Sequence, residues 1–212
     1  ALPISRSNIA DGRAQAVICN SGNANTCNAD GVEIASKMCD LAAKALGIEP
    51  TDVIIASTGV IGQPLDINPI EKGIAALAPA LSAGGSSDAA EAIMTTDTIK
   101  KECAVSVRLG ATPITIGAIA KGSGMICPNM ATMLCFITTD AAITAEMLDL
   151  ALHKVVDETF NMLSVDGDTS TNDMVSIMAN GMAGNPLIDS EDERFDAFVT
   201  ALKIVATELT RL

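Results

Sequence analysis

Residues 103–120, CAVSVRLGATPITIGAIA, alternate or run apolar on both sides of a turn at 109–111. Strand side chains point to opposite faces with a period of two, so this pattern predicts a β-hairpin. A hairpin commits that stretch to an antiparallel sheet, whose apolar face needs a second layer to cover it. Other strand-like runs stand between helices instead. AQAVIC (14–19) leads into NSGNANTCNADG, a cluster of turn formers, and is read as a strand followed by a loop. VEIASKMCDLAAKAL (32–46) has apolar residues at helical spacing and stops at Gly47. DVIIAS (52–57) is a second buried strand, followed by TGVIGQPL. Helices are expected near 69–81 and 88–94, with SAGGSS as a surface turn between them. MLCFITTD is a further strand, 145–163 has helical periodicity, MVSIMANG is a short apolar element, and 192–211 is an amphipathic helix. No repeat and no long linker divides the chain. The expectation is one layered α/β or α+β sandwich spanning residues 1–212.

Several function classes are excluded by composition. Thirteen basic against 26 acidic residues give a net charge of −13, which repels nucleic acid and anionic membranes. The absence of Trp and Tyr leaves little for a base to stack on. No apolar stretch reaches the ~20 residues of a membrane helix, and nothing at Ala1 resembles a signal peptide. The six cysteines form no CxxC pair, so buried reduced thiols and a cytoplasmic location are expected. The chain begins at Ala1 rather than Met and stops within a helical pattern at Leu212, so we expect a piece of a longer protein.

The usual catalytic groups fail one by one. The single histidine, His153, is displaced by roughly 140° from the apolar stripe centred on Leu148, which puts it on a solvated face. This argues against a Ser-His-Asp triad and a His-rich zinc site. VDGDTSTND (165–173) has Asp166, Asp168 and Ser170 at alternate positions, like a calcium loop. Its sixth position is Thr171 rather than Gly and its twelfth Ile177 rather than Glu, so the EF-hand pattern is not met. GAIAKGSGM (117–125) lacks Ser or Thr after Lys121, so it is not a P-loop. It is either a flexible turn or a loop that lets Lys121 meet a ligand carboxylate.

Thr132 remains, between Ala131 and a strand beginning at Met133. It either simply starts a strand or is a nucleophile. A hydroxyl without a histidine can use its own α-amine as base, provided the preceding peptide bond is cleaved. An α-amine ordinarily titrates near pH ~8, so modest burial leaves it neutral and able to take the hydroxyl proton. Attack of Thr132 Oγ on the Ala131 carbonyl would free it. ASTGVIGQPL (56–65) offers backbone N–H groups at a strand end, at Thr58 and Gly59, as an oxyanion hole, or is a plain strand-to-helix turn.

NSGNAN (20–25), STGVIG (57–62), TTDT (95–98), KGSGMICPNMATML (121–134) and VDGDTSTND (165–173) occur in this order. Together they resemble ornithine acetyltransferase, the bifunctional glutamate N-acetyltransferase of cyclic arginine biosynthesis, from near Ala1 to Leu212. The resemblance implies an α+β fold, an αββα sandwich related to the L-aminopeptidase/D-esterase fold. It implies self-cleavage between Ala131 and Thr132 into an α and a β subunit that stay together, a heterotetramer of two α and two β, and Thr132 as nucleophile. Thr58 and Gly59 would be the oxyanion hole. Thr95 and Lys121 would contact the amino-acid substrate, with Thr96 an alternative to Thr95.

The implied reaction is ping-pong acyl transfer from N2-acetyl-L-ornithine to L-glutamate through an acetyl-threonine, with no metal or organic cofactor. Acetyl-CoA is a possible second donor. Lys121, the only charged residue between Arg108 and Asp140, would pair with the α-carboxylate common to both amino acids. Family members are roughly twice as long and supply a glutamate from a DGEGATK-like segment beyond the point corresponding to Leu212. The rival enzyme is an amidohydrolase of the same fold that passes the acyl group to water. A rival of another class is a non-catalytic assembly or calcium-binding domain built on the 165–173 loop.

Overall fold

The computed structural model describes residues 1–122, 133–163 and 172–212. They form two compact units: residues 1–95 with 172–174, and the remaining described residues.

The first unit begins with a short helix, α1 (Leu2–Asn8). Strand β1 (Ala16–Asn23) follows, then α2 (Gly31–Leu46), β2 (Val53–Val60), α3 (Asn68–Ala80) and α4 (Ser86–Ala92). β1 and β2 pair in parallel, from Ala16 opposite Val53 to Asn23 opposite Val60. A parallel pair needs a crossover, which α2 supplies. Ile34, Ala35, Met38, Cys39, Ala42 and Ala43 form one stripe of α2 and pack on Val53 and Ile55 of β2. At ~25 cal/mol per Å² of apolar surface removed from water, this seam stabilises the unit. The helix ends at Gly47, which adopts the left-handed conformation and donates its N–H to Ala43 O.

The second unit is built on an antiparallel sheet. β3 (Lys101–Leu109) and β4 (Thr112–Lys121) are the hairpin expected from the alternation, turning at Gly110 and Ala111. β5 (Leu134–Thr139) adds to β4, with Leu134 opposite Lys121. Helix α5 (Ala145–Asp157) precedes β6 (Met174–Ala179), the fourth strand in the order β3-β4-β5-β6. The chain then forms α6 (Glu193–Arg211), whose N-cap Asp192 accepts from the N–H groups of Arg194 and Phe195. Ile114, Ile116, Ala118 and Ala120 of β4 point to one face together with Cys135 and Ile137 of β5. Phe195, Phe198, Leu202 and Val205 of α6 cover that face, as do Ala151 and Val155 of α5.

Helices therefore lie on a sheet in each unit, and the protein is a layered α+β fold, as the resemblance implied. Three local expectations change. Asn20-Ser21-Gly22-Asn23, read as the start of a loop, continue β1, because backbone pairing with Ser57–Val60 overrides the turn propensity of their side chains. Helix α5 ends at Asp157 rather than near Leu163, and a single 3-10 turn, Phe160–Met162, takes up the remaining periodicity. Cysteine burial is uneven: Cys39 and Cys135 are buried, Cys19 and Cys103 partly so, and Cys27 is exposed. All five are free thiols.

Candidate active site

β2, in the first unit, carries Thr58 and Gly59. Its backbone groups alternate between two edges. Asp52 O and Val60 O accept from Gln15 and Ala24, on the side of β1. The odd-numbered residues face the other edge, where no strand among the described residues pairs, and side chains take the place of one. Asn8 Nδ2 donates to Val53 O at 2.8 Å. Ser5 Oγ donates to Ile55 O at 2.7 Å and accepts from Ile55 N at 2.9 Å. Asn172 Nδ2 donates to Ser57 O at 2.5 Å. By the same alternation, the next group on this edge is the Gly59 N–H. The backbone of Thr58 faces β1, so of the two backbone donors expected only Gly59 is on this edge, and Thr58 brings its hydroxyl instead.

Two buried hydroxyls stand beside it. Ser57 and Thr58 are 2% and 1% exposed, and neither side-chain oxygen has a hydrogen-bond partner among the described residues. An unmet buried hydroxyl costs about 1–3 kcal/mol, so one at a strand terminus is the kind of strain expected at a binding site. Gly59 has φ 128°, and a Cβ built there would lie 2.2 Å from the carbonyl carbon of Gly22. No other residue fits. The Asn-rich stretch of β1 fixes the surroundings: Asn23 Nδ2 donates to the carbonyls of Gln63 and Pro64, and Asn20 Nδ2 donates to Asn23 O.

The second unit holds the lysine. Lys121 is the last residue of β4 and is 3% exposed. A cleft of about 330 Å³ is lined by Lys101, Lys121, Gly122, Met133, Phe160 and Arg211 with their neighbours. Asp97, buried in TTDT, anchors the approach: its Oδ1 accepts from Lys101 Nζ at 2.6 Å and from Gly122 N at 2.7 Å. The salt bridge holds the start of the glycine loop against β3.

The remaining predicted residues fall as follows. Ala131 and Thr132 lie outside the described residues, as does most of the 165–173 loop. Met133 is 8% exposed and Leu134 fully buried, so the chain after Thr132 does enter a buried strand. Thr95 and Thr96 are both exposed, in the segment between α4 and β3. His153 is exposed on α5, with Nε2 3.6 Å from Asp149 Oδ1, as its position on the helix required. Among the described residues no group of three or more His, Cys, Asp or Glu is placed to hold a metal ion. No helix among them is long and apolar enough to cross a membrane. Asp97 and Asn172 stand within motifs of the sequence yet carry no legible role there, because the backbone groups they bind, at Gly122 and Ser57, lie far along the chain.

The described residues form a layered α+β protein in which a buried threonine hydroxyl at a strand end has no hydrogen-bond partner among them. The chain belongs to the ArgJ family, whose model matches residues 1–212. It is 53% identical over 209 residues to the arginine biosynthesis bifunctional protein ArgJ of Symbiobacterium thermophilum, covering 98% of this chain and 52% of that protein. It is 50% identical over 202 residues to the protein of the same name from Caldanaerobacter subterraneus, covering 95% and 50%. The chain thus spans about half the length of these relatives. Among solved structures, it is similar to arginine biosynthesis bifunctional protein ArgJ from Bacillus halodurans, with TM-score 0.55 and 37% identity over 61% of this chain and 69% of that one. It is also similar to ornithine acetyltransferase from Mycobacterium tuberculosis in complex with ornithine, with TM-score 0.51 and 28% identity over 60% and 69%.

Proposed function

We propose that this chain is the nucleophile-bearing part of an acetyltransferase that moves acetyl from N2-acetyl-L-ornithine to L-glutamate. Family membership over the whole chain supports the reading, and so does the buried Thr58 hydroxyl, which has no partner among the described residues and stands beside a position only glycine can occupy. That pair is the observation on which it rests.

In this mechanism Thr132 Oγ first attacks the Ala131 carbonyl. The acyl group shifts from N to O, and water then releases the ester and leaves Thr132 with a free α-amine. In each catalytic cycle the amine takes the Thr132 hydroxyl proton as Oγ attacks the acetyl carbonyl. Thr58 and Gly59 hold the oxyanion. Collapse expels ornithine with the returned proton, and the α-amine of glutamate attacks the acetyl-threonine in the reverse sequence. Lys121 pairs with the α-carboxylate of each amino acid, and Thr95 or Thr96 contacts the same ligand. The reaction as drawn calls on no metal or cofactor. Acetyl-CoA could enter as a second donor to the same threonine. Self-cleavage would leave one α and one β subunit per chain, and two cleaved chains would assemble as two α and two β, in the cytoplasm, where free thiols persist.

The test uses the full-length protein with N2-acetyl-L-ornithine carrying a labelled acetyl group. Label in acetylglutamate, dependent on added glutamate, is the expected result. Label only in acetate would make the enzyme an amidohydrolase of the same fold.

A further inference from the structure

Asn172 belongs to VDGDTSTND, a motif that the proposed chemistry does not use. Its side chain is 115 residues from Ser57 in sequence, yet its amide donates to the Ser57 carbonyl and the residue is only 9% exposed. The edge on which it sits gives the contact its meaning. Asn8, Ser5 and Asn172 complete the backbone groups of Val53, Ile55 and Ser57 in turn, and the Gly59 N–H comes next. Asn8 and Ser5 come from α1 and cover the interior of β2. Among the described residues, Asn172 alone caps the group adjoining the uncovered end. An amide donor on Ser57 O fixes the plane of the Ser57–Thr58 peptide, and with it the direction of the Thr58 side chain and of the following N–H. Losing it would let the last turn of strand rotate by the few degrees that matter to an oxyanion.

We propose that Asn172 is a positioning residue for the oxyanion site formed at Thr58 and Gly59, acting through the Ser57 carbonyl without touching substrate. The proposal rests on the acyl-transfer reading above. It assigns Asn172, within that motif, a role in holding the strand end.

The experiment compares Asn172→Asp, Asn172→Ser, Asn8→Ala and Thr58→Val in the full-length enzyme, with rates referred to the amount of acetylatable threonine chain measured by mass. Asn172→Asp keeps the shape but places an acceptor against a carbonyl. The expected result is a fall in kcat of at least about tenfold at pH 8 with KM for acetylornithine within about threefold, short of the ~10² to 10³ for losing a donor outright. Relative to wild type, the deficit of Asn172→Asp should shrink as pH falls, because its protonated carboxyl donates again. Asn172→Ser, with a donor on a shorter arm, should show a pH-independent deficit. Asn8→Ala, which uncaps the far end of the same edge, should lower stability and leave kcat unchanged. A folded Asn172→Asp enzyme with wild-type kcat at every pH overturns the proposal, as does a deficit that matches Asn8→Ala. Failure of both Asn172 variants to fold would make the residue a strut for stability alone and also overturn it. If Thr58→Val retains wild-type kcat, the oxyanion reading itself fails; if only the Asn172 variants do, that reading stands and this inference falls.

Discussion

At the scale of single residues, function and stability pull in opposite directions. The Thr58 hydroxyl is buried with no partner among the described residues, so Thr58→Val removes a desolvation cost while keeping the shape. We expect the variant to be as stable as wild type or more stable by about 1 kcal/mol in urea unfolding, while acetyl transfer falls ~10² to 10³-fold. Gly59→Ala should behave oppositely. Its φ of 128° and the Gly22 backbone 2.2 Å from a new Cβ leave no room, so stability should drop by at least about 1–3 kcal/mol along with activity. The thiols make a third case. Burial raises the Cys135 pKa from 9.0 to about 12. Its neutral form contributes stability that is fully present below pH 9 and is lost as pH rises toward 12, by up to about 1.4 kcal/mol per pH unit. The Cys135→Ala variant should lack that part of the alkaline slope. In the native protein at pH 8, alkylation followed by peptide mapping should mark exposed Cys27 and spare Cys39 and Cys135.

Elements built from local alternation are legible in the sequence, and those built from distant pairing are not. The hairpin of β3 and β4 declares itself because both strands and their turn lie within 21 residues of one another, and α2 and α6 because an apolar stripe repeats at helical spacing. From sequence β1 stops at Cys19, since Asn-Ser-Gly-Asn reads as a turn until Ser57–Val60 is set beside it. Helix α1 leaves no sequence signal because its seven residues bury only Ser5 and give no periodicity. Its work is polar. It supplies two of the three side chains that complete the edge of β2 facing away from β1. Ser5→Ala removes both hydrogen bonds to Ile55 and leaves its buried amide and carbonyl unmet. Unfolding free energy should fall by about 1–3 kcal/mol, read by urea titration. A fall below about 0.5 kcal/mol would mean that water replaces the hydroxyl at no cost.

For the whole molecule, the layered α+β class and the strand-end position of Thr58 and Gly59 could be read from sequence. So could the solvated face of His153 and the burial of the strand after Thr132. What could not be read was how the strand end is held, because Asn172 and Asp97 act on backbone groups at Ser57 and Gly122, reached only through the fold. The chain spans about half the length of these relatives. Everything proposed depends on Thr132 freeing its own amine. The most direct measurement is the intact mass of full-length wild type beside Thr132→Ala. A self-released nucleophile gives two wild-type fragments, the second beginning at Thr132, and one unbroken chain in the variant. An unbroken wild-type chain that still transfers acetyl, or a variant cleaved at the same bond, would contradict it.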